Sequence, residues 1–312
     1  MGPGELVGDA ALVDGAPAHT VVARTDTRAR RIDRVAIVSA LAVAPAELRS
    51  LLDTVARLGT GEPTGAAYVA QLCVEALDHR AVRHPYLRAL GEGDLPDVRW
   101  ALADFARHYY GYSRHFPRYL TTVMSRLEQP AHRQALLENL TEEAGVYSGE
   151  DLSALADIGV REEWIVGQPH PVLFRRFCTA LGVEDDGRTE ADQVVCWREL
   201  FLGALSNGSP AEAVGALGLG TENIVSTMYL PFVRAIDGLG LDPHDTVFFP
   251  LHTAIDDHHQ ATLNEIATSF AGSDAGRAEL RRGMIKALSC RSAFWDWLGE
   301  RAADPARADR VL

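Results

Sequence analysis

From about residue 66 onward the apolar residues recur at helical spacing, and no alternating strand pattern competes with them. This restricts the chain to an all-α fold, because an apolar stripe on a helix is buried most simply against other helices. The breaks in the pattern fall at short Gly/Pro/Asp clusters (GEGDLP, EQP, GVEDDG, LGLDP and AGSDAG). They predict helices near 66–79, 95–127, 131–146, 150–158, 171–181, 190–206, 211–237, 244–270 and 274–299. Several are long enough to line a bundle core. With 312 residues, 47% of them hydrophobic, the chain can bury a full core. Residues 1–33 instead mix Gly, Pro, Ala and Asp and then turn to Arg, with no sustained helical period. They are expected to form a mobile leader, with 34–312 as one helical domain.

The formal net charge of −13, and the lack of any Lys/Arg cluster with interleaved aromatics, argue against nucleic acid as a partner. Four scattered cysteines (Cys73, Cys178, Cys196, Cys290) show neither zinc-site spacing nor the density of a disulfide scaffold, and read as reduced, mostly buried thiols. No apolar run is long enough to span a bilayer, and the N-terminus has no signal-peptide pattern. A cytoplasmic location away from membranes is the expectation.

The most informative stretch is FFPLHTAIDDHHQATL, residues 248–263. On a helix, His252, Asp256 and His259 stand at i, i+4 and i+7 and fall within roughly 60° of arc. Asp257 and His258 lie off that arc, so the DDHH run divides into an inward and an outward pair. Two imidazoles and a carboxylate on one face suit Fe, Mn or Zn, since neutral nitrogen and anionic oxygen both bind borderline divalent metals. The competing reading is a solvated helix face, against which stand the flanking Phe248, Phe249, Leu251 and Ile255.

A metal site in a bundle draws ligands from several helices. In LLENLTEEAGVYSGED, Glu143 shares a face with Leu136 and Leu140, while Glu142 lies opposite; the alternative is a surface acid at a helix C-terminus. In QPHPVLFRRFCTALG, His170 precedes Leu173 and Phe174 by three and four residues, at the end of an apolar face; the alternative is a capping or packing histidine. Glu222 interrupts the small, apolar run AVGALGLGTENIVSTMYLP, where a carboxylate is costly to bury unless a cation pairs with it; the alternative is an acid at a helix start after Thr221. The Gly218–Gly220 pair has no preceding strand and an incomplete phosphate-loop pattern, so a nucleotide reading is dismissed. Over 95–127, Tyr112 and His115 are one turn apart and are expected to contact substrate or hydrogen-bond to ligands, with core packing as the alternative.

In this order the pieces resemble the heme-oxygenase-like di-iron oxidases, whose pattern runs Glu, His, Glu and then His-x3-Asp-x2-His. The match rests on EEAG (Glu143), HPVLFRRF (His170), GTE (Glu222) and HTAIDDHH (His252, Asp256, His259), and extends over roughly 66–299. The intervals of 52 residues from His170 to Glu222 and 30 from Glu222 to His252 resemble the family's separations. Glu143 departs from the pattern by standing 27 residues before His170, so Glu163 is kept as a reserve ligand. The resemblance implies a heme-oxygenase-like single-domain bundle holding two Fe(II)/Fe(III) ions, or manganese in their place, on those six residues. It further implies O2 as co-substrate, an external electron donor, a small-molecule substrate and a homodimer. Two reaction classes follow from it: N-oxygenation of an amine or amino acid in a biosynthetic pathway, or desaturation and oxidative C–C cleavage of an amino or fatty acid. A bundle that stores metal or binds a ligand without turnover is the alternative from another class.

Overall fold

The computed structural model describes residues 64–184 and 190–308, the side chains of residues 254–259 and Arg307 excepted. The expected leader at 1–33, together with the start of the expected domain, lies outside the described residues. Within them all regular structure is helical: α1 (Gly65–Asp78), α2 (Pro85–Glu92), α3 (Val98–Ser113), α4 (Phe116–Met124), α5 (Pro130–Glu143), α6 (Gly149–Asp157), α7 (Glu162–Ile165), α8 (His170–Ala180), α9 (Asp192–Asn207), α10 (Pro210–Val214), a π-helical segment (Gly215–Glu222), α11 (Asn223–Leu239), α12 (Phe248–Phe270), α13 (Asp274–Ala303) and α14 (Pro305–Ala308). None is long and apolar enough to cross a membrane.

Side-chain caps set many of the starts. Thr64, Asp97, Ser209 and Ser273 each accept a backbone N–H of the first turn that has no partner within its helix. Ser148 and Asp151 form a reciprocal capping box at α6. The single helix expected over 95–127 is two helices. Pro117 has no N–H to give the carbonyl four residues back, so the chain turns at Arg114–His115. Tyr119, on the new helix, donates its hydroxyl to the Tyr112 carbonyl across the break at 3.0 Å. α2 and α7 fall in stretches where the periodicity predicts no helix.

The long α13 packs on the π segment, α10 and α9, while α12 packs on α11, α1 and the π segment. Glycines permit the closest approach. A Cβ on Gly283 would stand 1.9 Å from the Glu212 carbonyl oxygen, and one on Gly215 would stand 2.1 Å from that of Leu280. The helix expected over 211–237 therefore runs as α10, π segment and α11 without a break, its middle buried at every position. At the heart of the core Phe105 packs on Phe232 and Tyr109, with ring centroids 4.2 and 4.8 Å apart, and Trp295 gives its indole N–H to the Ala81 carbonyl.

Candidate metal centre

Glu143 is the last residue of α5, His170 the first of α8, Glu222 the last of the π segment, and His252 lies in the second turn of α12. Gly145 joins the first two. It adopts φ 87°, and a Cβ there would stand 2.6 Å from the Gln168 amide nitrogen. Only glycine lets the turn after α5 lie against the segment entering α8, where Gly167 donates its amide to the Gly145 carbonyl at 2.8 Å. Glu143 and His170 are thus both buried, with Oε1 of one 3.0 Å from Nδ1 of the other. Two metal–ligand bonds of about 2.1 Å at a right angle subtend about 3.0 Å, so the pair has the spacing of neighbouring ligands on one ion.

His252 completes the cluster. Its Nδ1–H donates to the Phe248 carbonyl at 2.7 Å, which makes Nε2 the ring nitrogen able to ligate a cation. The His170 and His252 ring centroids are 4.7 Å apart, and one ligand atom from each of Glu143, His170 and His252 lies within 4.8 Å of the others. A carboxylate and two imidazoles suit iron, manganese or zinc on donor chemistry alone.

Glu222 is buried and lines the same cavity of about 40 Å³ as these three residues. It is not an acid at a helix start, because the helix runs through it uninterrupted. Asp256 and His259 lie outside the described residues. Glu163 is exposed, its carboxylate 3.8 Å from Arg161, so Glu143 is the acid that reaches His170. Tyr112 is fully buried on the cavity wall, stacked on Trp197 with centroids 3.8 Å apart. His115 instead falls at the α3–α4 break, beside Arg114 and Arg118 and away from the cavity lining.

Tyr147 and Tyr229, which the periodicity left unmarked, complete the surroundings together with Tyr109, a candidate cavity residue of the 95–127 stretch. Tyr147 stands 3.1 Å from Nε2 of His170 and steadies the ring's other nitrogen. Burial, and then the nearby Glu143 and Glu142 carboxylates, push its phenol well above the usual range, so it remains an O–H group. Tyr109 and Tyr229, whose hydroxyls are 2.9 Å apart, also line the cavity, with the Tyr229 ring centroid 5.9 Å from that of His252. A tyrosine four residues after the candidate Glu143 is the one sequence signal available, and it is weak.

Residues 103–292 match the model of the family described as iron-containing redox enzymes. The chain is 23% identical over 248 residues to the 4-chloro-allylglycine synthase of Streptantibioticus cattleyicolor, covering 78% of this chain and 87% of that protein. It is 23% identical over 214 residues to the 4-aminobenzoate synthase of Chlamydia pneumoniae, covering 65% and 83% respectively. Among solved structures, a domain of unknown function with a heme oxygenase-like fold from Shewanella denitrificans superposes with a TM-score of 0.56 at 15% identity, over 75% of this chain and 89% of that one. The chain belongs to the iron-containing redox enzyme family, on a heme oxygenase-like helical fold.

Proposed function

We propose that this family member is an O2-dependent oxidoreductase that holds two iron ions and oxidises a small amine or amino acid, with N-oxygenation in a biosynthetic pathway as the leading reaction. The carrying observation is the convergence of Glu143, His170 and His252 on one buried cavity. Glu222 on its wall is the fourth ligand of this reading, and Asp256 and His259 are the fifth and sixth. Iron bound there supplies the electron transfer to O2, and an external donor returns the electrons.

The chain's own residues set the conditions for that chemistry. Glu143 and Glu222 offer negative charge that offsets divalent cations in a low-dielectric interior. The His252 tautomer is fixed by the Phe248 carbonyl, and the Phe248 ring centroid lies 4.0 Å from that of the imidazole and covers one face of it. A volume of about 40 Å³ holds roughly three water-sized centres, enough for O2. A larger substrate has to displace wall side chains.

A second reading, desaturation or oxidative C–C cleavage at the same site, is favoured by the relative whose name specifies an unsaturated amino acid. Work in the cytoplasm and assembly as a homodimer remain part of the proposal. Anaerobic loading with Fe(II), followed by O2 and a screen of amines, amino acids and fatty acids, tests the function. Two irons per chain and substrate-triggered O2 uptake are expected, with Asp256→Ala lacking both the second iron and the uptake. Iron held without O2 uptake under any substrate would make the protein a store. Failure to hold iron would leave a ligand-binding bundle.

A further inference from the structure

Arg291 on α13 is 1% exposed, and among the described residues no carboxylate pairs with it. Its partners are phenols: one terminal nitrogen donates to the Tyr109 hydroxyl at 3.3 Å and the other to the Tyr112 hydroxyl at 3.4 Å. The guanidinium also lies 5.4 Å from the Tyr112 ring and 5.3 Å from the Trp197 ring, and its Nε–H finds no acceptor. Ten residues further along the same helix, Arg301 is also buried but sits bidentate on Asp104, at 2.6 and 2.8 Å. Among the described residues one buried arginine has an internal anion and the other has none.

A buried cation without an anion is costly, and tyrosines offset only part of that cost. Their geometry says where the missing charge belongs. Tyr109 and Tyr112 both line the cavity that holds Glu143, His170, Glu222 and His252, with Arg291 directly behind them. A phenol oxygen that accepts from a guanidinium turns its own proton away from it, and that proton becomes a stronger donor. The cavity thus has carboxylates and imidazoles and, at Tyr109 and Tyr112, a wall of phenols polarised by a cation.

We infer that Arg291 is a positioning residue for an anionic substrate end: through Tyr109 and Tyr112 it makes that wall a seat for a carboxylate, leaving the rest of the molecule directed at Glu143, His170 and His252. This deepens the proposed function and rests on it for the identity of the substrate-binding cavity. It selects carboxylate-bearing substrates over simple amines or hydrocarbons.

The test uses the full-length protein freed of metal with a chelator, its melting curve checked, so that the outcome is independent of iron loading and O2 uptake. Binding of butanoate, butylamine and 1-butanol is followed by calorimetry and by tryptophan fluorescence, with Trp197→Phe as the control that isolates the Trp197 signal from that of the other four tryptophans. Butanoate is expected to bind about tenfold tighter than the other two, the effect of one hydrogen bond to a charged group. Arg291→Met removes that preference and leaves 1-butanol binding unchanged, and Arg291→Lys restores part of it. Should Arg291→Met fail to fold, Tyr112→Phe, which keeps the ring stack, decides the matter by weakening butanoate severalfold and 1-butanol not at all. Equal binding of the three probes to the native protein would overturn the inference. So would parallel loss of all probes in the variants, which marks a purely structural arginine, or an unchanged butanoate affinity in Tyr112→Phe.

Discussion

Buried charge appears in two regions of this molecule, and the two are built differently. At the Asp104–Arg301 pair both carboxylate oxygens meet guanidinium nitrogens, and at Glu212 the Arg282 and Lys286 head groups close over the carboxylate. Around the cavity, by contrast, Glu143, His170 and His252 gather with ligand atoms within 4.8 Å of one another, and Arg291 keeps an Nε–H without an acceptor among the described residues. The first arrangement is saturated within the chain and serves the fold. The second gathers ligand-type atoms of the kind the proposed iron would use.

The contrast makes its strongest prediction at the saturated end. Asp104→Ala strands the Arg301 guanidinium in the core and is expected to lower unfolding free energy by about 3–5 kcal/mol in denaturant titration while leaving iron binding intact. His252→Ala should do the reverse. Iron affinity measured by competition with a chelator falls more than about a hundredfold, beyond the loss expected for an outer partner, with the melting temperature nearly unchanged. Tyr147→Phe removes only the hydroxyl beside His170 and should weaken iron about tenfold by the same assay. The smallest effect is on pH dependence. Burial alone would raise the Asp104 pKa, but the hydrogen bonds from Arg301, with the His108 imidazole 3.4 Å away, hold it below the usual carboxylate range. A carboxyl depressed in the folded state stabilises above its unfolded pKa, near 4, and loses that contribution as pH falls through the folded value. Stability curves for the native protein should therefore drop below about pH 4 more steeply than those for Asp104→Ala. Iron loss from His252→Ala matched by equal unfolding would erase the distinction between the two regions.

Much of this was legible in the chain because helices announce themselves by period. The starts at 65, 130, 149 and 274 fall within a residue of expectation, since apolar stripes and caps act locally. The π segment was not legible: its apolar residues fit an ordinary helical pattern, and the wider turn is imposed by packing against α13 through Gly215 and Gly283. For the site, the facing rule selected Glu143 over Glu142, and burial bears out that choice of face, since Glu143 is buried and Glu142 only partly so. Glu163 could not be set aside without the fold, because its exposure is a tertiary property. Arg291 escaped notice for the same reason, as an arginine in a helical sequence ordinarily points to water. His115 misled because sequence spacing assumes a continuous helix, which Pro117 interrupts.

A π turn carries one residue more than the α turn it replaces, and the segment Gly215–Glu222 is wound in this way. One added residue rotates everything downstream by about 100° relative to an unbroken helix. The bundle thereby obtains two differently aimed surfaces from one continuous rod: Glu222 looks into the cavity, while Asn223 beside it ties Gln260 of α12 to the Cys73 carbonyl of α1. A single inserted position, rather than a loop or a new helix, sets which wall of the chamber receives its acid.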